Sequence, residues 1–573
     1  MAIRKNTRKA LWLATLIALI APLRARAQGS NTAASEQKPA QQKNALLYEL
    51  LPKNDEEQHT EALAEIAQRG DKTYIAPLID LLLFITSPDD SAAILNTLDQ
   101  LTGQNWDGSA DPWGQLSVWY AEHPELRPPA GYTGWKGEMY AQMSDPRFRS
   151  FLYDGEPANL RVEEVAWGGV KVEGIPALVN PRMLQAPQAN YLIDSEPVLG
   201  VSIHGDDRAY PLRILDWHEI ANDVVGGTHV ALTYSPLCGS AILYDTGAGG
   251  NNFIFGTSGL LFRSNKLMYD RETNTLWSQM TGRPVLGKLV GSKLELKVLP
   301  IVVTSWGEWR KEYPDTKVLD INTGFRRTYK IGAAYGRYFA SPNLMFPVGQ
   351  ESKLLPRKAL VFAVEENGTA KAFPLDALNC ADGVANDKVG SIPLVVIYRG
   401  AIPRVPLPAD WLAALRDVTG GKSRAAYAND LRLEDARAVL NKYPALIKEM
   451  NPDFLLAIPS DVRLPLLTEH TPNARTGSQA GEGQFTPDLR NEVAQRGVIG
   501  ETRAYERGAH IFHAGAGAKE LLDERGQKWH ATEDSLISGD GEQLRRLGGH
   551  LSYWFGWFAF YPKTEIYQCS SAK

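Results

Sequence analysis

Residues 216–241, DWHEIANDVVGGTHVALTYSPLCGSA, place an imidazole, several carboxylates and a thiol in one short segment. His218 and Glu219 are adjacent, Cys238 follows in a turn that we expect to expose its sulfur, and Met268 lies further on in SNKLMYD. Thiolate, imidazole and thioether form a soft ligand set that suits copper best, and zinc or iron less specifically. These residue types predict a transition-metal site on His218, Cys238 and Met268, with Glu219 supporting a ligand or acting as a general base.

Two other functions fit the same residues. Cys238 could act as a nucleophile, with His218 as its base and Glu219 or Asp216 orienting the imidazole, which would make the protein a hydrolase or transferase. A free nucleophilic thiol is vulnerable to oxidation outside the cytoplasm, which disfavours this alternative. The third alternative is a non-catalytic scaffold, in which the chain's 14 tryptophans contribute to protein or glycan contacts. No spacing here matches a known zinc signature, so the alternatives remain open.

An internal repeat indicates how these residues are positioned. AYPLRILDWHEIANDVVGGTHVALTY (209–234) returns as AFPLDALNCADGVANDKVGSIPLVVIY (372–398), and WGEWRKEYPDTKV (306–318) returns as WFGWFAFYPKTEI (554–566). Between these pairs, Trp277 has a counterpart in Trp529. Short alternating apolar segments with Gly, Pro and Asn-Asp turn signals indicate strands in both copies. The sequence therefore predicts a duplicated, mainly β core, in which the shared Asn-Asp pair is a turn.

The two copies differ at the residues best suited to chemistry. His218 and Glu219 face CADG in the second copy, Cys238 faces a segment without a thiol, and Met268 aligns near Leu521. Features shared by both copies are explained first by folding, whereas features present in one copy are candidates for function. The predicted site therefore belongs to the first β repeat.

The N-terminal 160 residues predict export and a helical domain. Residues 1–27 combine a basic start, an apolar run too short to span a bilayer and the small-x-small sequence ARA, so we expect a signal peptide cleaved after Ala27. Residues 28–44 are a polar linker, residues 45–125 have helical periodicity resembling HEAT repeats, and residues 126–160 connect to the β core. We expect the helical domain to bind a protein partner rather than to catalyse.

Charge and cysteine content narrow the class of protein. Loss of the six basic residues of the signal peptide would change the formal net charge from −5 to −11, which argues against nucleic acid or anionic lipid as a partner. No later stretch could span a membrane, so the mature protein should be periplasmic or secreted. Cys380 and Cys569 could form one disulfide, which would leave Cys238 as the odd thiol.

The run from AYPLRILDWHEIANDVVGGTHVALTYSPLCGSAILYD through FGTSGLLFRSNKLMYDRETNTLWSQMTGRPVLG to TSWGEWRKEYPDTKVL resembles domain-of-unknown-function family 3179. The resemblance extends from about Gly131 to the C-terminus and implies no established activity. The family usually has Tyr-Cys-x-Leu-Cys-Gly where this chain has Ser235 in place of the first cysteine, which argues against a dithiol redox pair.

We therefore expect a mainly β (α+β) fold made of two related β-rich units behind a small all-α domain. The first unit would span residues 161–350 and carry the site. The second would span residues 351–573 and contain a helical and disordered insertion at 403–502. The leading function is metal binding, with copper the favoured ion, in a redox or hydrolytic protein.

Overall fold

A computed structural model describes residues 44–569, except 54, 55, 86, 107, 340, 401–406, 424, 426, 427, 429, 430, 450–499 and 518. The predicted signal peptide, the polar linker and most of the insertion, including TPNARTGSQAGEGQFTPD, lie outside the described residues. None of the helices within that described part is long and apolar enough to cross a bilayer.

Helices occupy the N-terminal part of the described chain. They are α1 Ala45–Glu49, α2 Glu56–Arg69, α3 Ile75–Leu82, α4 Pro88–Thr102, α5 Pro112–Ala121 and α6 Tyr132–Met143. The Ser87 side chain accepts a hydrogen bond from the Asp90 N–H at the start of α4, and Gly103 ends that helix in the left-handed conformation (φ 72°). Ser87 and Gly103 therefore cap the two ends of this helix. A HEAT-type arrangement of the helices stays a prediction.

Most of the rest of the described chain consists of strands joined by tight turns. The strands of the first unit are β1 Val165–Trp167, β2 Leu178–Val179, β3 Met183–Gln185, β4 Pro197–Ile203, β5 Asp206–Pro211, β6 Ile220–Val225, β7 Thr228–Ser235, β8 Ser240–Asp245, β9 Gly247–Ala248, β10 Asn251–Asn252, β11 Phe255–Phe262, β12 Asn265–Asp270, β13 Leu276–Ser278, β14 Pro284–Leu286, β15 Lys297–Leu299, β16 Val302–Ser305 and β17 Lys317–Leu319. Its helices are α7 Leu212–His218, α8 Trp306–Glu312 and α9 Gly336–Phe339.

The second unit has the same kinds of element. Its strands are β18 Leu360–Glu366, β19 Thr369–Pro374, β20 Val384–Val389, β21 Ile392–Arg399, β22 Glu501–Glu506, β23 His513–Ala514, β24 Glu520–Leu522, β25 Lys528–Ala531, β26 Ser535–Ser538, β27 Gln543–Leu547, β28 His550–Tyr553 and β29 Glu565–Ile566. Its helices are α10 Leu375–Cys380, α11 Ala409–Thr419, α12 Leu433–Lys442 and α13 Trp554–Phe558.

Sheet order is similar in the two units. One sheet of the first unit has the order β16-β4-β5-β17-β3, and the second unit has β28-β18-β19-β29. Both contain an antiparallel hairpin whose second strand has a parallel neighbour, β17 beside β5 and β29 beside β19. The other sheets are β15-β8-β7-β6-β2, β1-β11-β12-β13-β14 and the two-stranded β10-β9 in the first unit, and β20-β21-β22-β27-β26-β25-β24-β23 in the second. The mainly β fold class predicted from the sequence is therefore confirmed, together with the preceding helices.

The shared Asn-Asp pairs lie in strands β6 and β20, so the predicted turn is wrong. The Asn222 side chain accepts from the Phe255 N–H (2.8 Å) and donates to its carbonyl (2.9 Å). Asn386 makes the same two bonds to Phe512, both 2.8 Å long. An asparagine suits each place because its side-chain amide supplies both a donor and an acceptor in one plane. The pair is structural in both units, although not as a turn.

Other contacts also recur in the two units. The Trp309 indole donates to Thr316 Oγ1 (2.8 Å), and the Trp557 indole donates to Thr564 Oγ1 (2.9 Å). These recurring bonds are what a duplication predicts, and they support that interpretation.

The two units share their hydrophobic interior rather than folding as separate bodies. One cluster joins residues such as Leu199 and Leu232 of the first unit to Phe362 and Leu394 of the second. A disulfide between Cys380 and Cys569, 189 residues apart, closes the second unit and confirms the predicted bridge. Cys238 is left as a free thiol.

We expect Asn386→Ala to lower the free energy of unfolding by about 1–3 kcal/mol, because it leaves a buried N–H and carbonyl of Phe512 unpaired. Urea denaturation measures the change, and substitution of the exposed Asn251 by alanine serves as the control. Equal stability of the two variants would contradict the structural role of this amide.

Candidate functional site

Glu219 occupies a backbone position that favours glycine. Helix α7 ends at His218, and Glu219 then turns the chain with a φ of 56° in the left-handed region. Its carbonyl accepts from the Tyr234 N–H (2.7 Å), and in the second unit Gly383, with a φ of 76°, accepts from Tyr398 in the same way (2.7 Å). A non-glycine residue in this conformation costs about 1–2 kcal/mol. The second unit has a glycine at the matched position, so the fold does not require a side chain there and the Glu219 side chain is a candidate for function.

The Glu219 carboxylate is buried beside a buried lysine. Lys266, on β12, donates to the carbonyls of Glu219 (2.6 Å) and Tyr234 (2.7 Å), and its Nζ lies 3.7 Å from Glu219 Oε2. The Tyr335 hydroxyl donates to the other carboxylate oxygen (3.4 Å). These three side chains, Glu219, Lys266 and Tyr335, form what we call the acid–base cluster.

Burial shifts both ionisable groups of the pair toward neutrality. It raises the pKa of Glu219 more than the positive charge of Lys266 lowers it. Burial also lowers the pKa of Lys266 to about 8, against the opposing effect of the Glu219 carboxylate. A carboxyl and an amine with displaced pKa values in contact are the groups that general acid–base catalysis uses.

His218 hydrogen-bonds to other partners than this pair and is held as a neutral imidazole. Its Nδ1 lies 2.7 Å from the Pro176 carbonyl and therefore carries the proton, and its Nε2 accepts from the Tyr329 hydroxyl (2.6 Å). Burial lowers the pKa of His218 to about 4, opposed by the bond to Pro176 and assisted by the positive charge of Arg327. Both ring nitrogens are thus engaged.

Cys238 lies in the predicted turn, but its sulfur is buried, so the expected exposure was wrong. The thiol donates to the Ser264 carbonyl (3.4 Å), and helix α13 covers it so closely that a Cβ at Gly556 would lie 3.1 Å from the sulfur. Burial raises the pKa of the thiol to about 12, although the Asn265 and Ser235 side chains lower it. A thiol with this pKa is not an activated nucleophile.

The three metal ligands predicted from the sequence have separate surroundings. Met268 packs in a cluster with Phe255 and Trp277, whereas Cys238 belongs to a different cluster with Leu237 and Tyr338. Within the described residues, the hydrogen bonds of His218 lead to Pro176 and Tyr329 and not to the thiol. The structure therefore places Glu219 beside Lys266, and a shared site for His218, Cys238 and Met268 stays a prediction.

A mostly irregular stretch, residues 323–339 and 341–349, lies over the site, and we call it the covering segment. Three of its tyrosines each make a different contact: Tyr329 with His218, Tyr335 with Glu219, and Tyr338 with the Leu237 carbonyl (2.7 Å). Sequence reasoning did not identify Lys266, Tyr329 or Tyr335. The spacing of three tyrosines over ten residues was the available signal for the last two, and Lys266 lies within the quoted motif SNKLMYD.

Comparison with known proteins finds a match to one family model, and that family has no assigned activity. Residues 172–413 match the model of a family described as "Protein of unknown function (DUF3179)". This range is narrower than the expected resemblance, yet it contains the acid–base cluster, Cys238 and the whole covering segment. No curated protein and no solved structure matches the chain.

The low pKa of His218 predicts an acid sensitivity. An unfolded histidine binds a proton below about pH 6.5, whereas folded His218 does so only below about pH 4. The folded state therefore loses stability as the pH falls from 6.5 to 4, by up to about 3 kcal/mol at 1.36 kcal/mol per unit. We expect His218→Gln to remove this part of the pH dependence, measured by urea denaturation at pH 7.5 and pH 4.5. Parallel losses in wild type and variant would contradict the assignment.

Proposed function

Residues 172–413 match the model of the family of unknown function DUF3179, and from the geometry of this chain's first unit we propose a hydrolytic enzyme of the acid–base type. One observation carries the proposal. Glu219 keeps a buried carboxylate against Lys266 at a left-handed position where the matched residue of the second unit is Gly383.

The roles that we propose for Glu219 and Lys266 follow from the charges of their side chains. The Glu219 carboxylate takes a proton from the attacking water, and the Lys266 ammonium stabilises the negative charge that develops on the substrate. Both groups are buried, so the covering segment must move and Tyr335 must leave the carboxylate before a substrate can enter.

A thiol mechanism is the weaker alternative. The chain has three cysteines, and two of them form the disulfide, so Cys238 has no partner for an intrachain dithiol reaction. The high pKa and burial of Cys238 also argue against the Cys-His hydrolase or transferase alternative.

Metal binding by His218, Cys238 and Met268 stays a prediction, with copper as the favoured ion. The neutral state of His218 supports it, because a metal binds the unprotonated imidazole. The separate surroundings of the three side chains weigh against it. Equal metal content in wild type, His218→Ala and Cys238→Ala would remove this prediction.

We further propose that the protein is exported to the periplasm or secreted. The disulfide supports this, because such bonds persist in oxidising compartments. A partner for the helices of residues 45–125 stays a prediction that affinity capture with the full chain would test.

A panel of p-nitrophenyl acetate, phosphate and glycosides tests the hydrolytic proposal. For any substrate that is cleaved, we expect Glu219→Gln to lower kcat/KM by about 100-fold or more. The wild-type rate should also fall above about pH 8, because Lys266 then loses its proton. Glu308→Gln, at an exposed position of the same unit, is the control. Full activity of Glu219→Gln would contradict the proposal.

A further inference from the structure

A second group of ionisable side chains lies in the second unit, away from the acid–base cluster. His510 precedes β23, and Asp523 and Glu524 begin the turn between β24 and β25. His510 Nδ1 lies 3.7 Å from Asp523 Oδ2 and 3.8 Å from Glu524 Oε2, and the three atoms are all within 4.8 Å of one another. With metal–ligand bonds of about 2.1 Å, one ion can join atoms up to about 4.2 Å apart. Both measured separations from the imidazole satisfy that limit.

The two carboxylates are held in place by the backbone. Asp523 Oδ1 accepts from the N–H groups of Arg525 (2.9 Å) and Gln527 (2.8 Å), and Glu524 Oε2 accepts from the Ile511 N–H (3.0 Å). The bond from Ile511 contributes most to lowering the pKa of Glu524. A carboxylate oxygen with one hydrogen bond keeps a lone pair for a further ligand.

The imidazole is oriented in the way that metal-binding histidines are. Its Nε2 lies 3.4 Å from Glu542 Oε1, whereas Nδ1 is buried without a hydrogen-bond partner among the described residues. Buried polar atoms without a hydrogen bond are uncommon in folded proteins. A carboxylate on one ring nitrogen and a metal on the other is the usual arrangement around a bound ion.

The first unit indicates that the fold does not require this imidazole. Phe253 stands two residues before Phe255, as His510 stands two residues before Phe512, and both rings pack on the matched tryptophan of their unit. The ring centroids of Phe253 and Trp277 are 5.2 Å apart, and those of His510 and Trp529 are 4.9 Å apart. An aromatic ring satisfies the packing, so the nitrogen atoms of His510 are an addition in the second unit.

We propose that His510, Asp523 and Glu524 bind one divalent ion of the zinc class, with Glu542 orienting the imidazole. One nitrogen and two carboxylate oxygens suit such an ion. The Glu524 and Glu542 side chains are 40% and 51% exposed, so the ion enters from solvent. Bound there, it fastens the turn after β24 to the segment before β23 and stabilises the second unit.

Titration of the full chain with Zn²⁺, after removal of metal with a chelator, tests the proposal. We expect one ion per chain, a change in tryptophan fluorescence because Trp529 contacts His510, and a rise in Tm with zinc concentration. His510→Phe restores the ring of the first unit and should weaken zinc binding by about tenfold or more, as should Glu524→Gln. His513→Phe, at a nearby exposed histidine, should bind like wild type.

Unchanged zinc affinity in His510→Phe and Glu524→Gln would overturn the site. Absence of binding by wild-type protein at about 100 μM zinc, which corresponds to roughly 5 kcal/mol of binding free energy, would overturn it as well. Zinc lost in His218→Ala and kept in His510→Phe would assign the ion to the first unit instead. Two variants with different side chains keep the result independent of a folding defect in either one.

Discussion

The burial of the Glu219 carboxylate against Lys266 is the constraint on which the first unit depends. Both side chains are buried, and the ammonium is held by two carbonyl oxygens, so its position is fixed before any ligand arrives. Each charge is costly in this setting unless the other is present. Helix α7 ends just before Glu219, strand β12 carries Lys266, and the covering segment contacts the carboxylate through Tyr335.

The same reasoning distinguishes fold from function across the two units. Residues that make the same contact in both units, such as Asn222 and Asn386, are explained by the backbone groups they satisfy. At two matched positions, one unit has an uncharged residue and the other has an ionisable one. Gly383 of the second unit matches Glu219 of the first, and Phe253 of the first unit matches His510 of the second. Each unit therefore carries its own departure from a common pattern: an acid–base cluster in the first, and a group suited to a metal in the second.

Sequence patterns predicted the mainly β fold and the helices that precede it, whereas the place of the site along the chain stays a prediction. Periodicity and turn residues are local, and the repeat marked His218 and Glu219 as exceptions. Lys266 and Tyr335 could not be found this way, because they are 47 and 116 residues from Glu219 and no periodicity brings them together. The burial of Cys238 was missed for a related reason, since helix α13, which covers the sulfur, begins more than 300 residues later.

NMR of isotope-labelled lysine side chains in the intact protein can follow the ionisation of Lys266 and so tests whether this amine is buried and coupled to Glu219. We expect a pKa of about 8 in wild type, and a lower one in Glu219→Gln, because the carboxylate that favours the ammonium is then gone. A Lys266 that titrates near the ordinary lysine value of about 10.4 in both proteins would mean that the two groups are neither buried together nor coupled.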